Sequence, residues 1–210
     1  MFVYERMIKN PITISVSAVA KQAMDLMEKN KLQSLPVMDK GKLVGIITKE
    51  DIMGQFLCDN KGCRYKENTP IEDIMTKRVF TVAENDYLEK AVSLIKERRI
   101  STLPVVSKND ELVGIITRTD IYNALLDTLG VDNRGTRIYS VIPNFIGQIA
   151  KVTSIINSNA ISLEAISLFD INKENAKGLV LKVKEKNVDK LIKDLKDSGI
   201  DVRDVGYDLK

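Results

Sequence analysis

Apolar residues fall at Ala20, Ala23, Met24 and Met27, the i, i+3, i+4, i+7 spacing that lays one stripe along a helix. The same spacing returns at Leu88, Ala91, Val92 and Ile95. A short strand-forming run precedes each stripe, Ile12-Thr13-Ile14 and Phe80-Thr81-Val82. A second run follows each, Leu35-Pro36-Val37-Met38 and Leu103-Pro104-Val105-Val106, with proline tolerated near a strand start. Asp39-Lys40-Gly41 has turn chemistry and leads into a third strand, Leu43 to Thr48, repeated letter for letter at Leu112 to Thr117. A last helix starts near Thr48, carrying Ile52 and Phe56, and near Thr117, carrying Ile121 and Leu125. Met7-Ile8-Lys9 and Met75-Thr76-Lys77 extend the match upstream. A duplication of this kind predicts a pseudo-symmetric pair of modules with a site between them, rather than one asymmetric active site.

The polar stretch from Asp59 to Pro70 reads as the connector between the copies, and Gly130 to Gly135 ends the duplicated part. Beyond it Arg137 to Ile142 alternates as a strand until Pro143-Asn144 breaks it. Ile146, Ile149, Ala150, Thr153 and Ile156 fit a helix face. Ile161 to Phe169 and Gly178 to Val183 read as strands about a turn at Asn172 to Asn175. Val188, Leu191, Ile192 and Leu195 form a helical stripe that Gly199 stops, and Ile200 to Val205 closes as a strand. That order is the split βαβ sandwich of the ferredoxin-like kind. The expected fold class is therefore α/β (α+β): one module at 1–58, a linker at 59–70, a second module at 71–128, a linker at 129–135, and a sandwich at 136–210.

Bulk properties narrow the function. A net charge of +3, with acids and bases mixed along the chain, is too weak and dispersed to point to nucleic acid. No apolar run approaches the roughly 20 residues that span a bilayer, and Met1 to Arg6 lacks the order of a signal peptide, so a cytoplasmic protein is expected. Histidine is absent, which removes histidine-based triads and His-ligated metal sites. Cys58 and Cys63 without further Cys or His make a poor zinc site and read as plain thiols in a loop. No nucleophile stands paired with a base, so no catalytic residue, no intrinsic metal and no enzyme activity are expected.

Chemistry concentrates in Gly45-x-x-Thr48-x-x-Asp51 and Gly114-x-x-Thr117-x-x-Asp120. Thr-x-x-Asp at a helix start is a capping box, which structure alone would explain. The same geometry also suits a ligand: free N–H groups and a hydroxyl can hold an anion or a sugar, and the aspartate can accept from ribose hydroxyls. Asn30-Lys31 in one copy corresponds to Arg98-Arg99 in the other, and Lys49 to Arg118. Lys31, Arg98, Arg99, Lys49 and Arg118 are phosphate candidates, and equally are charges suited to solvated helix ends. Asn144 is an expected N-cap, and Gly147 allows close backbone approach, so Asn144, Ile146 and Gly147 mark a possible anion site at that helix start.

The two glycine–threonine–aspartate strings, with Leu35-Pro36-Val37, Leu103-Pro104-Val105-Val106 and Ile74-Met75-Thr76, resemble a tandem pair of CBS domains, a Bateman module, over about the first 128 residues. The resemblance implies an adenosine-type ligand: AMP, ADP, ATP or S-adenosylmethionine. Thr48, Asp51, Thr117 and Asp120 would contact ribose and phosphate, and Ile46 and Ile115 would flank adenine. Gln33-Ser34 and Ser101-Thr102, from the opposite repeat, would complete the clefts. The segment from about Thr136 to Tyr207 resembles an ACT domain, which implies an amino-acid ligand near Asn144, Ile146 and Gly147. This arrangement is similar to the AcuB-type proteins of acetoin utilisation. It implies a nonenzymatic allosteric regulator, a homodimer that reads out a small molecule to a protein target the sequence does not name, with no nucleic acid or membrane partner. The alternative is a dimerisation or interaction scaffold whose ligand sites are vestigial.

Overall fold

A computed structural model describes the backbone of residues 1–54, 56–59 and 62–208, and the side chains of 1–54 and 66–207. The chain divides into two compact units, Met1–Tyr122 and Asn123–Lys210.

The first unit begins with a 3-10 turn at Val3–Glu5, then β1 (Ile8–Lys9), β2 (Ile14–Ser15), α1 (Ala20–Lys29), β3 (Ser34–Asp39), β4 (Lys42–Thr48) and α2 (Lys49–Met53). A hairpin of β5 (Phe56–Asp59) and β6 (Gly62–Tyr65) follows, then α3 (Ile71–Ile74). The second copy supplies β7 (Val82–Ala83), α4 (Leu88–Arg98), β8 (Thr102–Val106), β9 (Leu112–Thr117) and α5 (Arg118–Thr128). The stripe of α1 is wholly inside: Ala20, Ala23, Met24 and Met27 join Leu35, Val37, Ile47 and Ile52 in one core. Burying a side chain such as Met27 contributes about 1.5–3 kcal/mol, which fixes the face of α1 and the register of β3 against β4.

The copies are interlaced. β1, which leads the first copy, pairs with β9 of the second, Ile8 opposite Ile115. Thr76, which leads the second, pairs with Ile46 of the first through N–H···O bonds of 2.9 and 3.1 Å. Equivalent glycines make room for this exchange. A Cβ on Gly45 would lie 2.5 Å from Sδ of Met75, and one on Gly114 would lie 2.5 Å from Sδ of Met7. Ile71 of α3 likewise enters the first copy's core. At the pseudo-dyad the buried Ser34 hydroxyl bonds its own counterpart, Thr102, at 3.1 Å.

Three expectations for this unit need correction. The helix after Thr48 ends at Met53, so Phe56 is not on it. Gly54 stands where the second copy has Asn123, and glycine propagates a helix poorly. The expected connector, Asp59 to Pro70, begins inside the β5–β6 hairpin. The backbone register of that hairpin sets Cys58 opposite Cys63, whose side chains, expected as plain loop thiols, lie outside the described residues. Val92, expected on the buried stripe of α4, is 38% exposed.

At the start of α4, Asp86 accepts from the Ala83 N–H at 2.8 Å and from Lys90 at 2.7 Å. Burial alone would raise the Asp86 carboxyl. These two bonds and the Lys90 charge outweigh it and hold the group below its ordinary value.

The second unit completes α5 and adds β10 (Gly135–Pro143), α6 (Gln148–Ser158), β11 (Leu163–Asp170), β12 (Ala176–Val183), α7 (Asp189–Asp197) and β13 (Asp201–Asp208). The βαββαβ order expected from the sequence is present, in an antiparallel sheet ordered β11-β12-β10-β13. Its core sets Ile138 and Ile142 of β10 and Leu179, Leu181 and Val183 of β12 against Val152 and Ile156 of α6 and Leu191 and Leu195 of α7. The α6 face differs from the expected one. Ile146 lies before the helix and is fully exposed, Ile149, Ala150 and Thr153 face outward, and Val152 and Ile156 face in. Asn144 is not the N-cap: β10 runs on through Pro143, the Asn144 N–H stays bonded to the Asn175 carbonyl at 2.8 Å, and Gly147 caps α6 at φ 91°. Among the described residues no helix is long and apolar enough to cross a membrane.

Candidate functional site

Both Thr-x-x-Asp strings form the capping box. Asp51 Oδ2 accepts from the Thr48 N–H at 2.8 Å and from the Thr48 hydroxyl at 2.7 Å, and the Asp51 N–H donates back to that hydroxyl at 3.1 Å. Asp120 repeats this with Thr117 at 2.8, 2.7 and 3.3 Å. The cap occupies one carboxylate oxygen. Among the described residues no further hydrogen bond reaches Oδ1 of Asp51, so capping and ligand contact are compatible in one side chain.

The boxes differ in what lies beside them. Thr48 and Asp51 border a cavity of about 430 Å³, within the range that holds small-molecule ligands. Ile46, Thr48, Glu50 and Asp51 come from the first copy. The second copy and its leader supply Thr76, Arg78, Val79, Phe80, Arg99, Ile100, Ser101, Thr102, Pro104 and Arg118. An apolar part (Ile46, Val79, Phe80, Ile100, Pro104) therefore adjoins hydroxyls and three guanidinium groups. The wall can accept a flat heteroaromatic ring, a polyol and an anion together.

Of the residues singled out in the sequence, this cavity gathers Ile46, Thr48, Asp51, Ser101, Thr102, Arg99 and Arg118. Gln33, Ser34, Ile115, Thr117 and Asp120 are not on its walls, nor are Lys31, Lys49 and Arg98. Ile115 is only 8% exposed, and its strand is paired with the exchanged β1. Arg98 stands instead over the Phe80 ring, 4.6 Å from its centroid. A cavity of the second unit, bordered by Leu129, Arg137, Phe169 and Lys182 among others, does not include Asn144, Ile146 or Gly147. Among the described residues no cluster of three metal-ligating side chains occurs.

Sequence reasoning missed Glu50, Thr76, Arg78, Val79, Phe80, Ile100 and Pro104. Met75-Thr76-Lys77 served to align the copies, but nothing in it announces the crossing to the other copy's sheet. That crossing delivers Arg78 and Phe80 to the cleft. The available signal was the local difference between copies, Arg78-Val79-Phe80 against Asn10-Pro11-Ile12.

The sequence pattern of the CBS domain matches residues 3–57 and 71–127, more than half of the chain. A homoserine O-acetyltransferase of Methanosphaera stadtmanae is 38% identical over 113 residues, 53% of this chain and 21% of that protein. The chain thus spans about a fifth of that relative's length. The CBS domain pair of protein MJ0100, solved in complex with 5′-methylthioadenosine and S-adenosyl-L-methionine, is 33% identical, with a TM-score of 0.52 over 60% of this chain and 95% of that one. A protein named for acetoin utilization (AcuB), from Vibrio cholerae, is 28% identical, with a TM-score of 0.54 over 63% of this chain and 95% of that one.

Proposed function

The chain belongs to the CBS-domain family, and from that premise we propose that it is a nonenzymatic regulatory protein holding an adenosine-type ligand (AMP, ADP, ATP or S-adenosylmethionine) in the cleft beside Thr48 and Asp51. One observation carries the reading: an aspartate with a spare carboxylate oxygen borders a cavity of about 430 Å³ whose other side is built by the opposite repeat. Asp51 and Thr48 bind the ribose, and Ile46, Ile100 and Pro104 enclose adenine. The complex of the MJ0100 pair with adenosine compounds supports the same ligand class here.

Because the cleft wall is shared by two copies, ligand affinity that differs between two packings of the copies shifts their balance. The C-terminal βαββαβ sandwich, read as an ACT-type module, is the responder, and its sheet order supports that reading. A groove on α4 and α5, where Val92, Ile95, Ile121 and Tyr122 lie beside Lys96, Arg99 and Arg118, supports a homodimer.

A thermal-unfolding panel tests the proposal. At 100 times Kd a ligand stabilises the folded state by about 2.7 kcal/mol. For a chain of this length that raises Tm by roughly 5–10 °C. At least one of adenosine, AMP, ADP, ATP, 5′-methylthioadenosine and S-adenosylmethionine is expected to do so, and cytidine compounds are not. No shift across the panel replaces the proposal with the scaffold reading.

A further inference from the structure

We propose that this cleft selects phosphorylated adenosine compounds over neutral or cationic ones, with Arg78, Arg99 and Arg118 as the phosphate-binding groups. The inference rests on the cleft being an adenosine site and adds its charge selectivity. Three guanidiniums line the cavity against two carboxylates, Glu50 and Asp51, one of which is already engaged as a cap.

The three arginines arrive by different routes, and local structure constrains each. Arg78 lies 5.9 Å from the Phe80 ring centroid, and that ring, itself on the cavity wall, carries Arg98 at 4.6 Å. Such contacts restrict a guanidinium without consuming its donors. Arg99 follows the last turn of α4 in the left-handed region at φ 54°. Arg118 opens α5, and its Nε donates to the Ile100 carbonyl at 3.0 Å, which leaves its terminal nitrogens for a ligand. Forked donors held in this way match phosphate oxygens, whereas a sulfonium placed among them is repelled.

The pseudo-dyad supplies an internal comparison. It carries Arg78, Arg99 and Arg118 onto Asn10, Lys31 and Lys49. Both copies keep the Thr/Asp box, so the box does not distinguish the two sides. The guanidinium cluster occurs on the Thr48/Asp51 side alone. Both copies keep the cap, and two of the three positions stay cationic as lysine; the forked guanidinium donors, and the charge at Arg78, are what the copies do not share.

The experiment is a calorimetric titration of the full chain with adenosine, AMP, ATP, 5′-methylthioadenosine and S-adenosylmethionine, at low and at raised salt. AMP or ATP is expected to bind at least tenfold more tightly than adenosine, with that advantage shrinking as salt rises. S-adenosylmethionine, which adds to 5′-methylthioadenosine a sulfonium, an ammonium and one carboxylate and so carries a net positive charge, is expected to bind more weakly than AMP or ATP. Arg78→Gln, at an exposed position, is expected to remove most of the phosphate advantage, read as the ratio of AMP to adenosine affinity. Arg78→Lys restores only part of it. Adenosine binding as tightly as AMP and ATP, or S-adenosylmethionine binding best, overturns the selectivity while leaving the adenosine site standing. Absence of binding by all five compounds overturns the site itself and the selectivity with it.

Discussion

Asp51→Ala lowers the affinity of the cleft for its adenosine ligand roughly 10- to 100-fold. The estimate follows from the loss of one charge-assisted hydrogen bond to ribose, worth about 1.5–3 kcal/mol, at tenfold per 1.4 kcal/mol. The substitution also removes the cap that Oδ2 makes on Thr48. That costs about 1 kcal/mol of stability and on its own leaves the protein folded. Asp120→Ala separates the two effects. It breaks an equivalent box with the same bond pattern, but Asp120 is not on the wall of the 430 Å³ cavity. It is expected to lose similar stability and to keep affinity at the Thr48/Asp51 cleft. Paired calorimetry and chemical denaturation check both halves. Equal loss of affinity in the two variants would mean that the cap alone governs binding, through the shape of the helix start.

Gly135→Ala has the largest expected effect on stability. Gly135 opens β10 at φ 155°, a region that residues with a Cβ rarely enter. A Cβ there would lie 2.1 Å from the Val183 carbonyl oxygen and 3.0 Å from its carbon. These are backbone atoms of β12, the strand β10 pairs along its whole length, so no side chain can swing aside. Strain and overlap together cost about 3 kcal/mol or more. For a unit of fewer than 100 residues that is a fall in Tm of more than about 10 °C. Gly147→Ala is the control: it also has positive φ, 91°, but no atom lies within 4 Å of its Cβ. It loses about 1 kcal/mol. Amide exchange read on peptides from β10 and β12 is expected to accelerate strongly in Gly135→Ala and little in Gly147→Ala, with peptides from residues 1–122 unchanged in both.

Much of this molecule is written in local periodicity. The stripe from Ala20 to Met27 is legible because burial of one helix face repeats every 3.6 residues. The βαββαβ order is legible because the C-terminal strands and α7 carry their own patterns, while α6 shows as a helix whose buried face, Val152 and Ile156, differs from the expected one. The capping boxes follow from Thr and Asp at fixed spacing. What stays hidden is nonlocal or brief. The exchange of β1 onto β9 involves two residues, too few to show a period. It explains why Gly45 and Gly114 are glycine: each lies beneath a methionine that leads the other copy. The end of α2 was marked by Gly54, yet the apolar Phe56 beyond it suggested continuation. Asn144 has good capping chemistry, but pairing of β10 with β12 holds the chain as strand past the point where that cap would act. The Arg78–Phe80 wall was unreadable for the same reason as the exchange, since tertiary crossing, not spacing, brings it to Asp51.

The central claim is that an adenosine compound occupies the cleft between Ile46 and Ile100. Isoleucine-methyl NMR of the full chain during titration with AMP tests it most directly, because an adenine ring shifts the methyl groups it faces. The Ile46 and Ile100 resonances are expected to move saturably, and further than those of Ile138, Ile142 or Ile156 in the C-terminal core. AMP binding that leaves Ile46 and Ile100 in place while other methyl groups respond would contradict the account.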